Sequence, residues 1–173
     1  YFKDIDHIAS SFDKFAKLVP SDGVVIAYDA NPFVKSVIEN LPNAVTFGLN
    51  ESCDYYASDI EFDNDGMPKF NINHGGGVLC EIKLGMPGEH NILNALSAFA
   101  CAHILGVDAE KIASTLQKYR GTQRRFDVLG TTPEGVKIID DYAHHPTEIR
   151  LTLKAAKAFE PKRVRCIFQP HTY

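Results

Sequence analysis

The chain has no glycine-rich loop ending in Gly-Lys-Ser or Gly-Lys-Thr, so the usual cradle for nucleotide phosphates is missing. It has no run of 18 apolar residues, which excludes a helical membrane span. Basic residues do not dominate: 18 Lys and Arg stand against 22 Asp and Glu, and a net charge of −4 argues against nonspecific nucleic-acid binding. The opening "YFKDIDHIAS" lacks a basic segment followed by an apolar core, so it does not read as a signal peptide. Cys53, Cys80, Cys101 and Cys166 are scattered with no CxxC spacing. Four free thiols in a reducing cytoplasm fit that pattern better than a disulfide framework.

What is present is an average globular composition, 45% hydrophobic and 23% charged, which predicts a packed core. Ile5, Ile8, Phe12, Phe15, Ala16 and Val19 recur at helical spacing over residues 5–19, and Pro20 closes that helix. "GVVIAYD" reads as a buried strand. "NPFVKSVIENLP" reads as a short helix with Asn31 at its N-cap and Pro32 in its first turn. "AVTFGL" is the next strand, so the order is that of an α/β sheet with right-handed crossovers. From Cys53 three β-rich runs separated by "NDG" and "GGG" predict an antiparallel meander.

The stretch from Ile92 to Leu105 is apolar nearly all round and predicts a buried helix that Gly106 ends. Asp108 then caps an amphipathic helix, "DAEKIASTLQKY". A hairpin around "TPEG", a helix from Pro146 to about Phe159 and a strand "RVRCIF" form a second α/β unit. The change near residue 120 marks a domain boundary, with Arg120, Gly121 and Thr122 as linker. The chain opens on a helix and stops just after an apparent buried strand, so it reads as a piece of a longer protein.

Three constellations carry chemistry. Asn91 and Asn94 lie three apart in the first turn of a helix and share one face. Capping accounts for one of them and leaves a ligand contact open for the other, while His90 reads as a cap or a local packing residue. Arg124 and Arg125 stand at the start of a strand, which sends their side chains to opposite faces. Such a pair is either solvated surface or a fork for phosphate oxygens. Asp140 and Asp141 end the strand "KIID", where open α/β sheets bind ligands. The spacing D-D-x-x-H-H of Asp141, His144 and His145 matches no specific metal motif. His145 as helix cap, Pro146 as first residue and Glu148 at the dipole explain some of the stretch.

Together "GEHNILNALSAFA", "RGTQRRFDVLG", "DDYAHHPTEIRLTLKAA" and "FQPHTY" resemble the Mur ligases of peptidoglycan synthesis, from about residue 1 to the end of the chain. Within the family the strings are most similar to the branch that joins L-alanine to UDP-N-acetylmuramate. The tripeptide-recycling branch typically has phenylalanine in "DDFAHHP" and lacks "FQPH". The resemblance implies the latter part of a P-loop-type central ATPase domain with an antiparallel meander over residues 1–120. The opening portion of a Rossmann-like C-terminal ligase domain would then span 121–173.

The same resemblance implies an ADP-forming reaction in the cytoplasm, through an acyl phosphate, with ATP and Mg²⁺ and with neither nucleic acid nor membrane as partner. It makes Asn91 and Asn94 nucleotide contacts, Arg125 a phosphate contact, and Asp141 the closing domain's acid in the same site. His144, His145 and His171 match positions near the substrate cleft. The family's acidic and histidine metal ligands would lie upstream, and His7 is not one of them. Two expectations follow: the chain alone is inactive, and Asp141→Ala in the full enzyme cuts turnover with little loss of fold. The alternative is a stand-alone nucleotide-binding or regulatory module without a P-loop.

Overall fold

The computed structural model describes residues 2–170. Five strands form one mixed sheet in the order β1-β2-β3-β4-β5. β1 (Val25–Tyr28), β2 (Ala44–Gly48) and β3 (Tyr55–Phe62) run parallel, and β4 (Pro68–His74) and β5 (Gly77–Lys83) continue it antiparallel. The meander is thus the far half of the α/β sheet, joined through the pairs Phe47↔Tyr55 and Gly48↔Tyr56. At the β3–β4 turn the Asp63 carboxylate accepts the backbone N–H groups of Asp65 and Met67, at 3.1 and 2.9 Å. Gly66 turns there with φ 71°, a conformation that side chains disfavour.

Period-two alternation decides which face of the meander is buried. Pro68, Phe70 and Ile72 of β4 and Cys80 and Ile82 of β5 point to one side. Against them lies α3 (Glu89–Ile104), whose Ile92, Leu96 and Phe99 are completely buried at helical spacing. Tyr55 joins this core, and α4 (Ala109–Lys118) adds Ile112 and Ala113. Asp108 caps α4 by accepting from Lys111 N at 3.2 Å, and Gly106 with φ 84° ends the chain's turn out of α3. Burial pushes the Cys80 thiol up to about 11, and all four cysteines are free.

The first helix forms but ends early. α1 (Ile5–Ala16) is capped by Asp4, and Lys17 is its C-cap. Its apolar stripe faces solvent, with Ile5, Phe12 and Phe15 at least half exposed. Among the described residues β1 pairs only with β2, and Ala27 is its one buried residue. α2 (Pro32–Ile38) starts as expected, with the Asn31 side chain accepting from Phe33 N at 2.9 Å.

The second unit is a hairpin and a helix: β6 (Asp127–Thr131), β7 (Lys137–Asp140) and α5 (Pro146–Lys157). Its small core stacks Phe126 on Phe159 at 6.0 Å, with the Lys137 ammonium 3.8 Å from the Phe159 ring centre. "RVRCIF" does not form the expected strand, and Ile167 is fully exposed. An apolar run becomes a strand only where another strand takes its hydrogen bonds, and the described residues of this unit pair only β6 with β7.

Phe99 fills the centre of the core between α3 and the sheet, so Phe99→Ala is expected to lower unfolding free energy by about 3–5 kcal/mol, measured by urea denaturation.

Candidate functional site

The start of α3 is built without a side-chain cap. Gly88 occupies the N-cap position with φ 97°, and its N–H donates to Gly66 O at 3.2 Å. The buried Asn91 takes over the anchoring: its Nδ2 donates to Pro87 O at 2.8 Å, and its Oδ1 accepts from Asn94 Nδ2 at 3.2 Å. The two asparagines do share a face, and they hold each other. Asn94 is exposed; its backbone carbonyl accepts from Ser97 Oγ at 2.9 Å, and its side-chain Oδ1 takes no hydrogen bond from the described residues. His90 is not the cap. Its ring rests on Gly88, where an added Cβ would come within 2.9 Å of His90 Cε1.

Arg124 and Arg125 stand in a turn before β6 rather than in the strand, so strand alternation does not set their directions. Positive φ at Arg124 (59°) and Phe126 (50°) shapes that turn, and Arg124 O accepts from Tyr142 N at 2.9 Å. The Arg124 guanidinium lies 4.8 Å from the Tyr142 ring centre and 3.7 Å from Asp140 Oδ2. Arg125 approaches Glu148 Oε1 at 3.6 Å, and both side chains are well exposed. A long, exposed pair of this kind contributes little, so most of the Arg125 fork remains available to an anion.

Asp141 ties the unit together. Its Oδ1 accepts from Ala143 N at 2.7 Å, and its Oδ2 accepts from Phe126 N and from Thr152 Oγ1, both at 3.0 Å. One half-buried carboxylate thereby joins the arginine turn, its own loop and α5. An ionised carboxylate offers about four lone-pair positions, so one remains open.

The histidines beside it are engaged locally. His145 caps α5 by accepting from Thr147 N at 3.3 Å, which requires an unprotonated Nδ1. Glu148 Oε2 reaches back to the backbone N–H groups of His144 and His145, each at 3.3 Å, completing a capping box. The N–H of His145, then that of His144, and Arg125 hold the Glu148 carboxyl below its ordinary range. Its contribution to α5 is therefore present at neutral pH and fades as pH falls below 4.5. His144 Nδ1 lies 3.1 Å from Tyr142 O. His171 lies outside the described residues.

The two units meet along a seam. A cavity of about 260 Å³ opens between the β3–β4 turn, the start of α3 and α5, lined among others by Gly66, Gly88, His90, Leu151 and Ala155. The Lys154 ammonium bonds Glu89 Oε2 across it at 3.1 Å. Desolvation, then Asp141 acting against it and Arg125 with it, leave the His90 ring with a lowered pKa. Asn91's neighbour thus lies within electrostatic reach of both candidate residues on the second unit. Sequence reasoning gave Glu89, His90 and Lys154 no functional weight, because Lys154 meets Glu89 across 65 positions of chain. A larger cavity of about 460 Å³ opens at the carboxyl ends of β1 and β2, lined by Tyr28, Asp29, Gly48 and Cys53 among others; Asn91, Asn94, Arg125 and Asp141 line neither cavity.

The family model for the Mur ligase middle domain matches residues 1–102, and that for the Mur ligase glutamate ligase domain matches residues 124–172. The chain belongs to the Mur ligase family. A UDP-N-acetylmuramate–L-alanine ligase from Caldanaerobacter subterraneus is 49% identical across the whole chain, and one from Clostridium tetani is 44% identical. The chain spans 38% of the length of each. The crystal structure of UDP-N-acetylmuramate-alanine ligase from Thermotoga maritima superposes with TM-score 0.75 at 30% identity, covering 91% of this chain and 34% of that one. A MurF crystal structure from Acinetobacter baumannii gives 0.77 at 27%, covering 89% and 33%. The mixed α/β fold read from sequence is therefore that of the Mur ligase middle and C-terminal domains.

The bonds to Asp141 change what its removal should do in this Mur ligase chain. Asp141→Ala strands two backbone N–H groups and a hydroxyl, and is expected to lower stability by about 1–3 kcal/mol in a thermal or urea melt. An unchanged melt would return Asp141 to a purely functional role.

Proposed function

We propose that the full-length protein carrying this chain is an ATP-dependent, ADP-forming amide ligase that joins L-alanine to UDP-N-acetylmuramate through an acyl phosphate. On this reading residues 1–120 belong to the central ATPase domain and residues 121–173 to the closing C-terminal domain. The nucleotide lies where they meet, and the setting is cytoplasmic. The observation that carries the reading is that the two units meet at the start of α3, where Glu89, two residues before Asn91, bonds Lys154 of α5 at 3.1 Å beside a shared cavity.

Each residue has a role that its surroundings suit. Asn94 presents a free amide carbonyl oxygen to the base or ribose, and Asn91 fixes its orientation. The Arg125 fork leaves its weak partner Glu148 for phosphate oxygens, where charge builds up as phosphate transfers. Asp141 holds the arginine turn in place and keeps one lone pair for a hydroxyl donor. His144 and His145 shape the cleft wall through the α5 cap, and His171 follows them in sequence. ATP suits this set of one cationic donor and two oxygen acceptors. Among the described residues no three His, Cys, Asp or Glu side chains gather as a metal site, so no step is assigned to Mg²⁺ here.

A second reading is the tripeptide-recycling branch. A murein peptide ligase structure from Psychrobacter arcticus matches with TM-score 0.68 at 27% identity. Tyr142, where that branch typically has phenylalanine, and the higher identity to L-alanine ligases favour the first reading.

The test is ADP release by the full-length protein with ATP and UDP-N-acetylmuramate. Release that requires L-alanine, and that Arg125→Ala slows roughly hundredfold, is the expected result. Release that requires a tripeptide instead would overturn the substrate assignment. No release with either, together with saturable Mg-ATP binding by residues 1–173 alone, would favour the stand-alone module.

A further inference from the structure

We propose that Arg120 is a positioning residue: its guanidinium, seated on Gly85, fixes the path by which the chain carries Arg125 from the end of α4 into the second unit. The inference rests on the ligase reading for its consequence in turnover, and on packing for its existence. Residues 119–126 join α4 to β6 and so connect the two units. Their start is tied down. Arg120 Nη1 donates to Gln117 O at 2.6 Å and to Tyr119 O at 3.2 Å, which holds the guanidinium at the end of α4. The last carbonyl oxygens of a helix have no partner within it, and the helix dipole favours a cation there.

The guanidinium also lies against the loop between β5 and α3. A Cβ added at Gly85 would collide with Arg120 Nη1 and come within 2.7 Å of its Cζ. Gly85 does not have a left-handed φ, so its backbone does not call for glycine; the guanidinium does. Next to Arg120, Gly121 turns with φ 91° against Met86, where an added Cβ would stand 2.9 Å from Met86 Sδ. The same Cβ would lie 3.9 Å from Arg125 O, so Gly121 packs on the backbone of Arg125 as well. The loop beneath is anchored at both ends. Leu84 and Pro87 are buried, Leu84 N donates to Pro68 O at 2.9 Å, and Pro87 O accepts from Asn91 Nδ2 at 2.8 Å. A continuous line of contacts thus runs from Asn91 through Pro87, Met86 and Gly121 to Arg125, and Arg120 clamps it at Gly85. An arginine that meets charge building on a phosphate loses much of its effect when displaced by about 1 Å.

The first experiment reads position without catalysis. Spin labels on Cys101 of α3 and on Cys166 beyond α5, both exposed, report the spread of distances between the units in the full-length protein, with any other exposed cysteine replaced by serine. The distribution is expected to be broader in Arg120→Ala than in wild type. Gly85→Ala is expected to broaden it equally, because the added methyl displaces the guanidinium. Joining Gly85→Ala to Arg120→Ala is expected to match either substitution alone, since both remove one contact. A distribution unchanged by Gly85→Ala, or two effects that simply add, would overturn the proposal.

The second experiment measures turnover in the full-length protein. Arg120→Ala is expected to lower kcat about tenfold while KM for ATP changes less than about threefold, because the loss falls on the transition state. Arg120→Lys keeps a cationic donor for Gln117 O and is expected to bring kcat back to within about threefold of wild type. A kcat that Arg120→Ala leaves unchanged, or a loss that Arg120→Lys does not relieve, would contradict the positioning role. If the protein proves not to be a ligase, the label distances still decide whether Arg120 and Gly85 set the arrangement of the units.

Discussion

Everything in the second unit hangs on the Asp141 carboxylate. The unit is a two-stranded hairpin and one helix, too small to fix its loops by burial alone. Asp141 supplies the missing constraint by accepting from Phe126 N, Ala143 N and Thr152 Oγ1. Charge-assisted bonds to backbone N–H groups are about twice as strong as neutral ones, so a half-buried carboxylate can hold a turn in which Arg124 and Phe126 both adopt positive φ. That turn decides where Arg125 points. The acid is thus structural first, and its structural work is what gives the arginine a defined position.

The first unit solves the complementary problem at the start of α3. A glycine N-cap offers no side-chain acceptor to the backbone donors, and the helix start is fixed instead by Asn91, which donates to Pro87 O and accepts from Asn94 Nδ2. Glycine is required there for a second reason: only a residue without Cβ lets the His90 ring and Ala155 of α5 come so near. Gly66 does the same at the β3–β4 turn, where an added Cβ would stand 3.1 Å from Ala158 Cβ. Close backbone approach, with the Glu89–Lys154 pair at the rim, brings the two units' polar groups to one seam.

Much of the fold was legible in the sequence because its signals are local. Asn31, Asp108 and His145 cap the helices they were expected to cap, and the "NDG", "GGG" and "TPEG" turns fall between strands that pair. The failures concern elements whose state depends on something outside their own sequence. "RVRCIF" has strand composition but no strand beside it among the described residues, and the amphipathic α1 buries Ala16 while Ile5, Phe12 and Phe15 stay exposed. The candidate site was half legible. The spacing of Asn91 and Asn94 put them on one face, and the position of Asp141 at a strand end marked it. The arginine pair's geometry was misread because positive φ at non-glycine residues leaves no trace in sequence. His90, Glu89 and Lys154 gain meaning only when folding brings α5 against α3.

The most direct measurement is a structure of the full-length protein with a nonhydrolysable ATP analogue. The account predicts that Arg125 leaves Glu148 for the phosphate oxygens while Asp141 keeps its bonds to Phe126, Ala143 and Thr152 and offers only its remaining lone pair. An Asp141 that abandons those bonds to reach the nucleotide, or a nucleotide seated away from the seam at the ends of β1 and β2, would contradict it.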